Sequence, residues 1–221
     1  ATPTKTAIPT ATAVPDQGYG NLWLGELNAA ATVRSGPGTE TTSVKGWWVG
    51  RRVIIYETVT NKKGEIWYRV SDAPEASMWV RADLVRKIAP VEYQGAKFKG
   101  KWINVDLSQQ IVTAYIDGTP VKVTLTSTGT ARTPTEQGVQ RILTRVTSQR
   151  MRGGTPGIDY YDLPNVPNVL YFNNTGEALH GTYWHDNFGY TRSHGCVNLS
   201  IPISKWFFDW SPIGTTVWVH N

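Results

Sequence analysis

The sequence predicts a mostly β protein: a small barrel followed by a larger β-rich domain with one or two short helices. Three observations carry this. Val, Thr, Tyr, Trp and Gly are plentiful while helix-forming runs of Ala, Leu, Glu and Lys are scarce, a balance that favours strands. Short apolar runs recur between turn signals built from Gly, Pro and Asn. Of the 221 residues 40% are apolar, with ten Trp and ten Tyr, enough to fill the core of one large domain or two small ones.

Residues 1–20 form a Thr/Pro-rich linker with few large apolar side chains, which cannot bury enough surface to offset the entropy of ordering. It is expected to be disordered and rich in extended polyproline II, a spacer between the folded part and a membrane. Residues 21–89 read as short strands at Ala31–Arg34, Val53–Tyr56, Ile66–Val70 and Ser77–Val80, with turns at Ser35–Gly38 and Asn61–Gly64. Their close spacing predicts a small barrel. Residues 90–100 read as a connector.

In residues 101–221 the β pattern resumes at Trp102–Leu107 and Ile111–Ile116. Asp117-Gly118 predicts a tight hairpin into Val121–Thr126. Val139–Thr147 and Val169–Phe172 could add strands, as could Glu177–Leu179. Residues 148–168, rich in Gly, Pro, Asp and Asn, predict an irregular loop of the kind that often covers an active site. Ile203, Trp206, Phe207 and Trp210 have helical spacing, and Thr215–His220 reads as a closing strand.

The net charge of +5 is modest and lies mainly in the first hundred residues. No Arg/Lys run is interleaved with aromatics, which argues against a nucleic-acid partner. A weakly basic surface suits an anionic polymer such as a cell envelope. No apolar stretch approaches the roughly 18–20 residues that span a bilayer. The chain begins with Ala rather than Met and reads as a mature chain freed of an export signal or anchor, hence extracytoplasmic, with a possible membrane tether N-terminal to it.

Cys196 is the only cysteine, so it cannot join an intramolecular disulfide; it is a buried inert thiol, an intermolecular link or a reactive nucleophile. Its setting, Ser193-His194-Gly195-Cys196-Val197-Asn198 with His180-Gly181-Thr182 upstream, favours the nucleophile. Acyl transfer through a thiol needs a base, a group to orient that base, and donors for the oxyanion. Gly195 and Cys196 can aim backbone N–H groups at one point, and glycine allows unusual φ/ψ and close substrate approach. His180 and His194 compete for the role of base, and sequence geometry leaves them even. The carbonyl of Gly181 could fix the tautomer of the imidazole before it. The rival reading is zinc, with His180, His185, His194 and Cys196 as four potential ligands, but their spacing matches no standard zinc pattern. The aromatics Tyr183, Trp184, Phe188 and Tyr190 are either packing or the wall of a groove.

These residues resemble a known family. His180-Gly181-Thr182, Gly189 and Ser193–Leu199 are similar to the signature of the L,D-transpeptidase (YkuD-type) catalytic domain. Trp102–Leu107 with Gln109-Gln110, Ser127-Thr128-Gly129 with Thr133-Pro134-Thr135, and Tyr161–Pro167 extend the likeness over residues 100–221. Val33–Gly38, Gly50, Val53, Trp67–Val70, Trp79-Val80 and Leu84 resemble a bacterial SH3-like domain, which implies possible cell-wall binding.

The resemblance implies a peptidoglycan L,D-transpeptidase. Cys196 would be the nucleophile and His180 its base, oriented by Gly181, with the N–H groups of Gly195 and Cys196 as oxyanion donors. His194, Ser193 and Asn198 would shape the site, and Tyr161, Trp184 and Arg192 would line it. The thiol would take the acyl group of a tetrapeptide stem, release D-Ala, and pass it to an acceptor amine as a cross-link, with no metal or organic cofactor. It would also be acylated by carbapenems. The sequence departs from the family pattern at Arg192, usually apolar, and at Asn198, often Arg. A cysteine L,D-carboxypeptidase acting on the same stems and a non-catalytic wall-binding protein are the alternatives.

Overall fold

The computed structural model describes residues 19–72 and 77–221, so the expected disordered linker lies largely outside the described residues. Among the described residues the front of the chain holds the short strands β1 (Trp23–Leu27), β2 (Ala31–Arg34), β3 (Ser43–Trp47), β4 (Arg52–Ile55), β5 (Glu57–Thr60), β6 (Ile66–Arg69), β7 (Trp79–Arg81) and β8 (Val85–Pro90). They form a three-stranded sheet ordered β4-β1-β8 and a five-stranded sheet ordered β3-β2-β7-β6-β5. Leu27, Val33, Val53, Ile55, Val80 and Val85 form a common core beneath both sheets. The Asn61–Gly64 turn forms as expected: Asn61 Oδ1 accepts from the Lys63 and Glu65 N–H groups, and Gly64 adopts φ +78°. The sequence signals only some of these strands, because Gly25 and Gly46 dilute β1 and β3 and nearly all of β3 and β5 is solvent-facing, so no alternation shows.

The rest of the chain forms β9 (Lys101–Asp106), β10 (Ile111–Ile116), β11 (Thr119–Leu125), β12 (Gly138–Arg141), β13 (Thr144–Gly153), β14 (Tyr161–Tyr171), β15 (Ala178–Gly181), β16 (Val197–Leu199), α1 (Ile201–Trp210) and β17 (Thr216–His220). Two sheets result, β11-β10-β9-β17-β12 and β13-β14-β15-β16. The Asp117-Gly118 hairpin joins β10 to β11, with Asp117 at φ +52°. Ile103, Val112, Leu170, Leu179, Val197, Val217 and the helix residue Phe207 pack into one core between the sheets and α1. Among the described residues no helix is long and apolar enough to cross a membrane.

Two expectations are corrected. Val139–Thr147 is not one strand: Ile142 is fully buried, and around it the chain passes from β12, paired with β17, to β13 in the other sheet. Residues 148–168 are not an irregular loop. They belong to a long β13–β14 hairpin whose register runs from Thr144↔Tyr171 to Gly153↔Tyr161. Pro164 and Pro167, positive φ at Asn165 and Asn168, and a largely exposed β13 remove the usual strand signals. The helix starts two residues earlier than its apolar spacing suggests, behind Ser200 and with Pro202 in its first turn.

The front and rear sheets meet through a third apolar cluster, Tyr19, Leu22, Ile54, Val91, Ile111 and Val123. Tyr56 Oη donates to the Val123 carbonyl at 2.8 Å, and Lys122 pairs with Asp72 at 2.8 Å. Phe207 is the α1 side chain that the rear core closes on, so Phe207→Ala is expected to lower unfolding free energy by about 3–5 kcal/mol. Chemical denaturation checks this; a loss below about 1 kcal/mol would mean the core collapses into the gap.

Candidate active site

The pairing of β15 with β16 is parallel, with Leu179 opposite Val197 and His180 opposite Asn198. Side chains alternate across a sheet, so Leu179 and Val197 face the core while His180, Asn198 and, one residue before the strand, Cys196 share the other face. That face lies under the β13–β14 hairpin: Cys196 packs with Met151, Leu163 and Tyr171 against Ala178, Val166 and Val169. A cleft of about 200 Å³ opens there, lined by Met151, Tyr161, Leu163, His180, Trp184, Arg192, Ser193, His194, Cys196 and Asn198. The cleft therefore gathers Cys196, His180, His194, Ser193, Asn198, Tyr161, Trp184 and Arg192, but not His185, Tyr183, Phe188 or Tyr190.

The structure separates the two candidate bases. His180 is 2% exposed, and its Nδ1 lies 3.1 Å from the Gly181 carbonyl oxygen. A carbonyl can only accept, so Nδ1 carries the proton and Nε2 is left as the basic nitrogen. His194 lines the same cleft but is engaged at its rim. Its Nε2 meets Asp159 Oδ2 at the hairpin tip at 3.1 Å, and its ring packs 4.9 Å from Tyr161. His185, the third ring nearby, accepts from Asn198 Nδ2 at 3.2 Å. The four candidate zinc ligands thus do not converge, and among the described residues no group of three His, Cys, Asp or Glu side chains could hold a metal ion.

Burial pushes the Cys196 thiol up to about 11; a backbone hydrogen bond from Ala178 pulls it back and the charge of Glu177 adds to the rise. Burial also holds His180 down to about 4, against the Gly181 hydrogen bond. Both groups are therefore neutral at pH 7. Burial thus disfavours the charged form of each group, weighting the cleft towards a thiol and a neutral imidazole rather than a thiolate–imidazolium pair.

The loop carrying Cys196 is built from backbone constraints. Gly195 sits at φ +110°, where a Cβ would lie 2.6 Å from Glu177 Oε1. Ser193 Oγ donates to the Cys196 carbonyl and accepts from the Gly195 N–H at 3.2 Å. The Gly195 N–H expected in the oxyanion hole is therefore engaged, and an incoming carbonyl oxygen must compete with Ser193 for it. Thr135 Oγ1 donates to the Gly195 carbonyl at 2.7 Å and accepts from Gly129 N at 2.9 Å. Gln110 holds Thr128 through both its amide and its carbonyl oxygen. The pieces around Gln110, Thr128 and Thr135 thus serve the Cys196 loop rather than the cleft surface.

Tyr161 lines the cleft, whereas Tyr160 is 53% exposed outside it. Burial raises the Tyr161 phenol, with Cys196 adding to the rise. Trp184 packs 5.8 Å from His180, and Arg192 stands on the cleft wall. Phe188 and Tyr190 face the front sheets instead. Sequence reading overlooked Glu177. Its buried carboxylate accepts from Glu136 N and Asn173 Nδ2, and burial raises its pKa. The one signal was a charged residue beside the apolar pair Ala178-Leu179.

With the geometry in view, the family is plain. The model of the YkuD L,D-transpeptidase catalytic domain matches residues 100–219, and the chain belongs to that family. The catalytic domain of an Enterococcus faecium L,D-transpeptidase is 27% identical, covering 56% of this chain and 99% of that one, with a TM-score of 0.51. An L,D-transpeptidase from Stackebrandtia nassauensis is 31% identical at a TM-score of 0.47, and the match spans 59% of each chain. An L,D-transpeptidase in complex with imipenem is 16% identical, a likeness of fold alone, over 98% of this chain and 88% of that one, with a TM-score of 0.53. No curated protein matches the chain.

The raised thiol pKa sets a pH prediction. Thiolate accumulates only as pH rises towards about 11, so iodoacetamide alkylation of Cys196 should still accelerate above pH 9. Mass spectrometry of quenched samples reads this; a rate already level at pH 7 would contradict the neutral thiol.

Proposed function

We propose that this protein is a peptidoglycan L,D-transpeptidase in which Cys196 is the nucleophile and His180 the general base. The observation that carries the proposal is the placing of a neutral, tautomer-locked imidazole on the same sheet face as the only thiol, at one cleft. As a stem peptide enters, His180 Nε2 takes the Cys196 Sγ proton while the sulfur attacks the carbonyl carbon preceding D-Ala. The tetrahedral oxyanion draws on the backbone donors of the Gly195–Cys196 loop. Its collapse breaks the C–N bond; His180 returns the proton to the leaving amine, and D-Ala departs. The remaining thioester is attacked by an acceptor amine, which loses a proton to His180. The new amide forms as the sulfur leaves and regains that proton.

Around this chemistry Tyr161 and Trp184 form the walls of the peptide groove. Arg192 is the cation placed to meet a substrate carboxylate, and Asn198 and Ser193 hold polar contacts and loop shape. His194 acts at the rim, where Asp159 and Tyr161 engage it. Residues 21–89 serve as an SH3-like domain with a role in wall binding, 90–100 as a connector and 101–221 as the catalytic domain. The protein works outside the cytoplasm, with residues 1–20 spacing it from a possible membrane tether.

Incubation with disaccharide-tetrapeptides, followed by mass spectrometry, tests the reading. Dimers lacking one D-Ala are expected from the native chain and none from Cys196→Ala. Tripeptides without dimers would make it a hydrolase of the same stems; no Cys196-dependent change would leave only wall binding. One relative is described in complex with imipenem, and Cys196 is expected to open the same β-lactam ring. The native chain should then gain the mass of the intact drug, and Cys196→Ala none; an unmodified native chain would count against the nucleophile.

A further inference from the structure

The segment between the two halves of the site motif, residues 183–192, is held from outside the catalytic sheets. Arg51, 8% exposed, donates to the Asp186 carbonyl at 2.7 Å and to its carboxylate at 3.2 Å. Arg52 donates to the Gly189 carbonyl at 2.6 Å and lies 4.5 Å over the Tyr190 ring. Tyr190 Oη donates to the Gly50 carbonyl at 2.6 Å and meets Glu26 Oε2 at 3.0 Å. Gly189 is at φ +98°, and a Cβ there would lie 2.8 Å from Arg52, so the approach of the two chains requires glycine. The rear sheets hold the same segment at other points, through Gly189 N to the Thr126 carbonyl and Arg192 N to the Thr128 carbonyl.

What the arginines hold is the segment between Trp184 and Arg192, whose two ends line the cleft. Asp186 follows Trp184, packed on His180, and His185, bonded to Asn198. Tyr190 lies two residues before Arg192. A guanidinium presents several donors in a rigid fork, so one side chain can fix a carbonyl and a carboxylate together, which an ammonium does less well.

We infer that Arg51 and Arg52 of the front sheets are positioning residues for the active site, fixing the Trp184–Arg192 wall against which the substrate binds. The front sheets are then a working part of the acyl-transfer site as well as a wall-binding module. The kinetic consequence rests on the transpeptidase reading; the structural one does not.

The test uses the full chain and the double variant Arg51→Met/Arg52→Met, which keeps much of the stems and removes the forks. Amide hydrogen exchange at Gly189 and Arg192 is expected to quicken about tenfold, with Val112 and Thr113 of β10 unchanged. For tetrapeptide donors kcat/KM should fall about tenfold, mainly through KM, while iodoacetamide alkylation of Cys196 keeps its rate. Arg51→Lys/Arg52→Lys should recover only part of the loss. Unchanged exchange, or altered exchange with unchanged kcat/KM, overturns the inference. If the double variant fails to fold, Tyr190→Phe is read instead, removing only the hydroxyl's contacts: exchange at Gly189 should rise about threefold, and no rise overturns the inference. A native chain that does not turn over the stem would fail the functional reading, and the exchange result still decides the structural one.

Discussion

The site depends on one register: β15 and β16 run parallel with Leu179 against Val197. That pairing sends two apolar side chains into the core and, by alternation, puts His180 and Cys196 on the opposite face. A shift of one residue in either strand would turn one of these two side chains into the core and expose an apolar one. Several backbone bonds hold the register. Ser127 N and Thr126 Oγ1 both donate to the Asn198 carbonyl, Asn198 N returns a bond to the Ser127 carbonyl, and Thr182 N donates to Leu199 O. Backbone bonds and the Thr126 hydroxyl thus fix where His180 and Cys196 stand relative to each other.

The same burial governs the electrostatics. Desolvation disfavours the charged form of each partner, raising the thiol and lowering the imidazole, so the two shifts act together to keep the proton on sulfur. On the proposed acyl-transfer reading, such a site would form its nucleophile only as a substrate carbonyl takes the developing charge. On that reading specificity would reside in what brings the carbonyl into place: the hairpin above the cleft, the Trp184–Arg192 segment beside it and the front sheets that hold that segment.

Much of this was legible in the sequence, and the exceptions have physical causes. The Asp117-Gly118 hairpin, the apolar face of α1 and the Ser193–Asn198 motif each carry local chemistry that a single chain can display. The β13–β14 hairpin did not, because its prolines and its exposed strand mimic a loop while its stability comes from pairing along its length. Spacing left His180 and His194 even, since the facts that bear on the choice are long-range: burial of one ring, and Asp159 drawn to the other across 35 positions of sequence. Glu177 and the Arg51 and Arg52 contacts were hidden for the same reason.

The central claim is that His180 is a neutral base with its proton fixed on Nδ1. Nitrogen NMR of the imidazole in the full chain tests it directly. At pH 7 His180 should show a protonated Nδ1 and a bare Nε2, and titrate only near about 4. An imidazolium at pH 7, or a proton on Nε2, would contradict the account.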